Sequence, residues 1–370
     1  MCEESPRVGL RLFLLDNSGS TATLDGHVLR GQRLVDSSRW AEICALATSA
    51  AALGAATGTP CEFHLLNPLR TVGAHAEVEG QDFVSTSGNP AADEARLKAF
   101  LSRVQPRGVT PLAERLAALR PRFSAFAERA GATGQSAFLV IATDGAPTPS
   151  NSGTPTAAAS AAALRELRSL TAALPVRIVV RLCTDEDSAV EFWNSADAEV
   201  ELPLDVLDDF TSEAAEVAKC GNGWVAYSPA LHMVREFGTL VGLLDLLDER
   251  KLRPGEAATL AGLLLAGGDG NGGGGGDGDE DQLPDWQYER KEFAVALRTR
   301  ALRAPAVFDG RRRRRVPQVD ADAALRAIHG VSRSSRLMMA GALAVAVLAA
   351  AAMIVGWDEE EGRSVTGMLA

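Results

Sequence analysis

Three oxygen-bearing side chains follow the first apolar run of the sequence at alternating positions. Residues 12–15 are all leucine or phenylalanine, and Asp16, Ser18 and Ser20 come directly after them. Side chains at alternating positions of one loop can present one carboxylate and two hydroxyls to a single point. Such oxygens are the ligands that hard cations prefer in proteins. The stretch DNSGS therefore predicts part of a divalent-cation site.

Further candidate ligands follow a second apolar run and precede a predicted helix. Asp144 comes soon after residues 139–142, and Thr110 stands just before Pro111, where a helix is predicted to begin. In an open parallel sheet, ligands collect outside the carboxyl ends of the strands, and helix N-termini face the same rim. We therefore expect Thr110 and Asp144 to lie beside Asp16.

This three-part pattern resembles the metal-ion-dependent adhesion site of von Willebrand factor A (vWA) domains. In that family a D-x-S-x-S loop, a distant threonine and a further aspartate hold one divalent cation. The matching residues are Asp16, Ser18, Ser20, Thr110 and Asp144. The resemblance covers residues 7–202 and implies a doubly wound, mostly parallel α/β sheet flanked by helices. It also implies a metal-dependent protein-binding module rather than an enzyme. Thr21 is a small departure, since many relatives carry a bulky apolar residue there.

The ligand types indicate which cation and which partner would fit. Two carboxylates and three neutral hydroxyls leave a dication undercompensated, with a position for water that a partner protein's acidic residue could take. A hydroxyl-rich set favours Mg²⁺ or Mn²⁺ over Ca²⁺, which prefers more carboxylates. The alternative is that DNSGS is a polar turn after a strand and Asp144 a helix cap.

Three other functions are alternatives to a binding module, and the sequence argues against two of them. A haloacid-dehalogenase-like, magnesium-dependent phosphatase needs D-x-D at the end of the first strand, and Ser18 stands where its second aspartate belongs. A serine hydrolase lacks the G-x-S-x-G turn around Ser18 and Ser20. A scaffold whose helical region makes the contacts remains an alternative.

Short apolar runs alternate with helical patterns over the first 205 residues, as in a doubly wound α/β sheet. Strands are predicted at residues 8–15, 61–66, 70–75, 136–142 and 176–183. Helices are predicted at residues 39–56, 91–104, 111–130, 157–173 and from 187 onward. Beyond residue 201 the pattern indicates helices only, at residues 204–218, 229–237, 239–248, 254–265 and 286–302.

Composition and charge exclude several classes of protein. The chain has 370 residues and a net charge of −11, which argues against a nucleic-acid-binding protein. Its five cysteines are scattered without zinc-ligand spacing, so we expect them to be reduced. The first residues are acidic and lack an apolar stretch, which is not typical of a secretory signal.

The remainder of the chain divides by composition. A helical extension is predicted at residues 203–266, a flexible Gly/Asp-rich linker at 267–283, and a helix with a basic segment at 284–336. Residues 337–357 carry no charge and are long enough to cross a bilayer. Arginines precede this segment and acidic residues follow it. The positive-inside rule thus predicts a membrane anchor that leaves the metal site facing the cytosol. The alternative is an alanine-rich helix buried in a soluble cytoplasmic protein.

Overall fold

The computed structural model describes residues 8–30, 33–69, 77–130, 134–184, 186–198, 203–266 and 283–330. The chain forms two compact units. Of the described residues, the first unit contains those up to Lys251 and Ala306–Gln318, and the second contains those in Leu252–Pro305 and from Val319 to residue 330. Three predicted segments lie outside the described residues: residues 267–282 of the linker, the whole strand at 70–75 and the membrane segment at 337–357.

The described residues form ten strands and eleven α-helices. The strands are β1 (Val8–Leu15), β2 (Gly26–Arg30), β3 (Arg33–Ser37), β4 (Cys61–Leu65), β5 (Phe83–Ser85), β6 (Ser136–Thr143), β7 (Val176–Leu182), β8 (Leu204–Leu207), β9 (Val307–Asp309) and β10 (Arg314–Val316). The helices are α1 (Arg39–Thr57), α2 (Pro90–Leu101), α3 (Leu112–Ala130), α4 (Ala157–Ala173), α5 (Asp187–Asp197), α6 (Phe210–Val217), α7 (Pro229–Glu236), α8 (Gly242–Glu249), α9 (Pro254–Leu265), α10 (Arg290–Arg303) and α11 (Ala321–His329).

A mostly parallel six-stranded sheet is the centre of the first unit. Its strand order is β5-β4-β1-β6-β7-β8, and only the β4–β5 pair is antiparallel. The strands β2 and β3 form a separate antiparallel hairpin, as do β9 and β10. The central position of β1 and β6 places the carboxyl ends of these two strands side by side. The loops after them are the two that carry Asp16 and Asp144.

Helices cover both faces of this sheet, which explains its near-continuous apolar strands. Successive side chains of a strand point to opposite faces, so alternate residues of β1 enter two different cores. Leu12 and Leu14 pack in one core with residues of α3, α4 and α5. Phe13 and Leu15 pack in the other with residues of α1 and α2. The predicted strands at 8–15, 61–66, 136–142 and 176–183 are confirmed to within one residue at each end.

Helix α1 begins at the same edge of the sheet as the candidate ligands. Ser38 is its N-cap, and the Ser38 hydroxyl accepts a hydrogen bond from the Ala41 N–H at 3.1 Å. This cap fixes the start of the helix, so Arg39 occupies its first turn. Among the described residues, α1 is also the one helix long and apolar enough to span a membrane, but its apolar side packs in the core.

The prediction that only helices follow residue 201 is wrong. Leu204–Leu207 forms β8, which pairs in parallel with β7 at the edge of the sheet. The helix predicted from residue 204 begins at Phe210, after Asp209 caps it by accepting hydrogen bonds from two backbone N–H groups. The first unit therefore extends beyond the boundary predicted at residue 202.

The second unit is helical in its described part. Its helices α9, α10 and α11 pack on one another and bury apolar side chains, among them Leu260, Phe293, Leu297 and Ile328. The helix predicted at residues 254–265 is confirmed, and the one predicted at 286–302 is observed at Arg290–Arg303.

Candidate metal centre

Asp16 lies where β1 ends, and both oxygens of its carboxylate accept hydrogen bonds. The Ser18 N–H donates to Asp16 Oδ1 at 2.8 Å, and Thr143 Oγ1 donates to Asp16 Oδ2 at 2.7 Å. The Asp16 N–H donates to the Ala142 carbonyl of β6 at 2.8 Å. Asp16 is only 1% exposed, so its position is determined by the neighbouring strand as well as by its own loop.

Ser18, Ser20 and Asp144 form one hydrogen-bonded group beside Asp16. The two serine hydroxyl oxygens are 3.0 Å apart. Ser20 Oγ donates to Asp144 Oδ1 at 3.0 Å, and Ser18 Oγ lies 3.5 Å from the same oxygen. Residues 124 or more positions apart in the chain thus meet at one point. The structure brings four of the five predicted ligands together.

Thr110, the fifth predicted ligand, lies at the same edge of the sheet. Its hydroxyl oxygen is 3.9 Å from the position that a Cβ would take on Gly145, the residue after Asp144. The Thr110 N–H donates to Thr148 Oγ1 at 2.8 Å, and the Thr148 N–H donates to the Thr110 carbonyl at 2.9 Å. Within the described part of the chain, its side chain makes no hydrogen bond to the other four ligands.

Two asparagines that the sequence analysis did not identify connect the DNSGS loop, the loop after β4 and the loop that carries Thr110. Asn17 Nδ2 donates to the Asn67 carbonyl at 2.9 Å, and the Asn67 N–H donates to Asn17 Oδ1 at 2.8 Å. Asn67 Nδ2 donates in turn to the Val109 carbonyl at 2.8 Å, next to Thr110. Asn17 is 1% exposed, so an uncharged amide here satisfies buried backbone groups.

Gly108 is required for this packing. Its φ of +89° lies in the left-handed region, and a Cβ there would be 2.9 Å from Asn67 Oδ1. The Gly108 carbonyl accepts a hydrogen bond from the Gly19 N–H at 3.1 Å, inside the DNSGS loop. The loop that carries Thr110 can therefore approach the loop of Ser18 and Ser20 closely.

The pKa values of the Asp16 and Asp144 carboxyl groups are both raised, chiefly by burial. Burial, followed by the nearby charge of Asp144, raises the pKa of Asp16 to about 6. Burial also raises the pKa of Asp144, against the opposing effects of hydrogen bonds from Ser20 and Arg39. Two buried carboxylates that disfavour each other's ionised form are in an environment that a cation would stabilise.

Arg39 is a further charged residue of the site that the sequence analysis did not identify. It is 3% exposed, and its Nη1 donates to Asp144 Oδ2 at 3.1 Å and to Glu186 Oε1 at 3.0 Å. Its Nε and Nη2 both bind the Asp25 carboxylate at 2.7 Å. Arg39 thus links Asp144 to two exposed acidic residues on neighbouring loops. Nothing in the local sequence distinguishes it from an arginine on the surface of a helix.

The donor set fits a small, hard dication. It contains two carboxylates, two hydroxyls in contact with one of them, and a third hydroxyl at the same edge. Carboxylate and hydroxyl oxygens are the ligand types that hard divalent cations take in proteins. The positive charge of Arg39 lies on the Oδ2 side of Asp144, and Ser18 and Ser20 lie on the Oδ1 side. The Oδ1 side is therefore where a cation would be bound.

A second acidic group lies elsewhere in the first unit. Carboxylate oxygens of Glu213, Glu216 and Asp248 lie within 4.8 Å of one another. Arg235 binds Glu213 and, at 2.9 Å, Asp248 Oδ2, so an internal cation already compensates much of this charge.

Comparisons with known proteins identify no family for the chain. No protein-family model and no curated protein matches it. The solved structures that resemble it include the PilB minor pilin from Streptococcus sanguinis, at 12% identity and a TM-score of 0.38, covering 56% of this chain and 58% of that one. They also include proximal thread matrix protein 1 (PTMP1) from the mussel byssus, at 15% identity and a TM-score of 0.33, covering 56% and 46%. The chain thus spans about half the length of these two structures. At these TM-scores neither likeness is informative about function.

Proposed function

We propose that the first unit is a divalent-cation-dependent protein-binding module with the fold and adhesion site of a vWA domain. The observation that carries the proposal is the convergence of Asp16, Ser18, Ser20 and Asp144 on one hydrogen-bonded group. Thr110 at the same edge supplies the third hydroxyl of the set.

The proposed module binds its partner through the cation. A bound Mg²⁺ or Mn²⁺ supplies a Lewis-acid position that a carboxylate of the partner can occupy. Ser18, Ser20 and Thr110 provide neutral oxygens, and Asp16 and Asp144 provide charge. Because Arg39 is held by Asp25 and Glu186 as well as Asp144, it keeps Asp144 oriented with Oδ1 toward the hydroxyls.

We propose no catalytic role for the site. Ser18 and Ser20 hydrogen-bond to each other and to Asp144, and within the described ranges no histidine is bonded to either serine. Such a serine lacks the histidine that acts as the general base of a serine hydrolase triad. The phosphatase alternative needs a carboxylic acid at position 18, where a hydroxyl stands instead.

Capture of partners from lysate tests this function when it is paired with direct cation binding. Calorimetry with Mn²⁺ should show one site in the wild-type chain and none in Asp144→Ala. Partners captured in Mn²⁺ and released by EDTA should be missing from Asp144→Ala but retained by Asp36→Ala, which changes a carboxylate that is 93% exposed. Partners captured equally in EDTA would support the scaffold alternative, and absence of Mn²⁺ binding would refute the proposal.

We also propose that residues 337–357 anchor the chain in a membrane with the first unit in the cytosol. The support for this comes from the sequence alone: the uncharged length, the preceding arginines and the following acidic residues. Deletion of residues 333–370 should convert a membrane-pelleting protein into a soluble one. Release of the intact chain by carbonate washing would contradict the anchor.

A further inference from the structure

The arginine run Arg311–Arg315 forms the turn and second strand of the β9–β10 hairpin in the first unit. Two backbone hydrogen bonds attach this hairpin to the segment before α7. The Gly310 N–H donates to the Tyr227 carbonyl at 3.0 Å, and the Ala226 N–H donates to the Gln318 carbonyl at 2.9 Å. The run therefore lies on ordered backbone of the unit that carries the candidate metal centre.

Two arginines of the run have structural contacts. Arg312 binds Asp309 Oδ2 at 3.0 Å and the Gly223 carbonyl at 3.3 Å. Arg315 donates to the Ala306 carbonyl at 2.6 and 3.1 Å. These contacts hold the two ends of the hairpin and explain two of the five arginines without any ligand.

The other three arginines of the run have no such role. Arg311, Arg313 and Arg314 are exposed, and none of them forms an ion pair with another described residue. Arg313 has a φ of +50°, in the left-handed region that favours glycine or asparagine over arginine. Arg313 therefore occupies a turn conformation that arginine adopts rarely, with its side chain exposed to solvent.

A fourth basic side chain lies along the adjoining backbone. Arg311 Nη2 lies 3.9 Å from the position of a Cβ on Gly223, and the Lys251 side chain lies 3.4 Å from that of a Cβ on Gly221. Lys251 is exposed and also has no ion pair among the described residues. We define Lys251, Arg311, Arg313 and Arg314 as the basic hairpin patch.

We propose that the basic hairpin patch binds the anionic surface of a phospholipid membrane. Several unpaired, exposed cations on one hairpin and its adjoining backbone suit a layer of anionic headgroups, to which each basic residue contributes about 1 kcal/mol of attraction. A single-stranded nucleic acid would also need aromatic rings for its bases to stack on. The one aromatic residue of the hairpin, Phe308, instead stacks on Phe210, with ring centroids 6.3 Å apart.

The test compares vesicle binding by the full chain and by two triple variants of equal charge. The patch variant carries Arg311→Gln, Arg313→Gln and Arg314→Gln. The control variant substitutes glutamine for three other exposed arginines of the first unit, Arg30, Arg129 and Arg165. Vesicles of phosphatidylcholine, with and without phosphatidylserine, are used for co-sedimentation. Both variants keep residues 333–370 unchanged, so a difference between them in the preference for phosphatidylserine is due to the patch.

The wild type and the control variant should prefer the phosphatidylserine vesicles, and this preference should weaken as salt is raised. In the patch variant the preference for phosphatidylserine vesicles should be roughly 100-fold weaker than in the wild type. This factor corresponds to three charges at about 1 kcal/mol each. Circular dichroism checks that the variants are folded. An unchanged preference in the patch variant, or an equal loss in the control variant, would overturn the proposal. So would a wild type that binds oligonucleotide through these arginines without preferring phosphatidylserine.

Discussion

Replacing Asp16 by asparagine is expected to stabilise the cation-free protein and to remove its response to divalent cations. The Asp16 carboxyl is buried beside Asp144, and its ionised form is disfavoured in the folded state. An asparagine oxygen can still accept the hydrogen bond from the Ser18 N–H. The amide nitrogen can donate to Thr143 Oγ1, because that hydroxyl can rotate. The substitution therefore removes the charge and keeps the contacts.

The magnitude follows from the raised pKa of Asp16. A folded-state pKa of about 6, against 3.8 for the unperturbed group, corresponds to about 3 kcal/mol of lost stability once the carboxyl is ionised. A raised carboxyl pKa means that the folded state binds the proton more tightly than the unfolded state. Its cost is thus absent at pH well below 3.8, grows as the pH rises, and is complete above about pH 6. We expect Asp16→Asn to gain about 1–3 kcal/mol at neutral pH and roughly 1 kcal/mol at most at about pH 4.5.

Urea unfolding in EDTA and in saturating Mn²⁺ measures both effects. In EDTA at neutral pH, Asp16→Asn should unfold at higher urea than the wild type. Adding Mn²⁺ at about 100 times its dissociation constant should stabilise the wild type by about 2.7 kcal/mol and the variant by much less. Asp36→Asn, at a carboxylate that is 93% exposed, should stay within about 0.5 kcal/mol of the wild type in both conditions.

Two results would refute this reasoning separately. If Asp16→Asn is less stable than the wild type in EDTA at neutral pH, burial and the charge of Asp144 do not disfavour the ionised Asp16 carboxyl as inferred. If the variant keeps the full stabilisation by Mn²⁺, Asp16 is not a ligand.

Three further outcomes are expected. The affinity for Mn²⁺ should fall about tenfold for each pH unit below about 6, because protons compete with the cation for Asp16. Calorimetry that shows the same Mn²⁺ affinity from neutral pH down to about pH 5 would contradict this. Arg39→Met should lower the free energy of unfolding in EDTA by about 3 kcal/mol, since Asp144 loses its buried cationic partner, and Mn²⁺ should restore part of that loss. Equal losses with and without Mn²⁺ in urea unfolding would argue against an electrostatic link between Arg39 and the site. Gly108→Ala should lower the free energy of unfolding by about 1–2 kcal/mol and weaken Mn²⁺ binding, because a Cβ at this positive φ would crowd Asn67. A variant that unfolds at the same urea concentration and binds Mn²⁺ as tightly as the wild type would contradict that account.

The central strands and the oxygen-bearing residues at their ends could be predicted because their signals are local. The apolar runs of β1, β6 and β7 reflect burial on both faces, which needs no knowledge of the neighbouring strands. Likewise, the alternating oxygens of Asp16, Ser18 and Ser20 follow β1 directly in the sequence. A parallel sheet brings the ends of such strands to one edge, so their proximity to Asp144 could also be anticipated.

The edge strands could not be predicted in this way. Both β5 and β8 are only three or four residues long, and each forms through pairing with a longer strand, β4 or β7. In isolation, residues 204–207 read as the start of a helix. Pairing with β7 overrides that local preference, because strand formation depends more on context than helix formation does.

The sequence by itself determined the mixed α/β class, the main strands and the oxygen-bearing residues that follow them, since each strand and each motif is encoded within a few consecutive residues. Only the tertiary structure decided what surrounds those oxygens. Arg39 contacts Asp25, Asp144 and Glu186, which lie 14, 105 and 147 positions away in the chain. Its burial and its effect on Asp144 arise only when those three loops meet, because charge interactions depend on distance and burial rather than on position in the sequence.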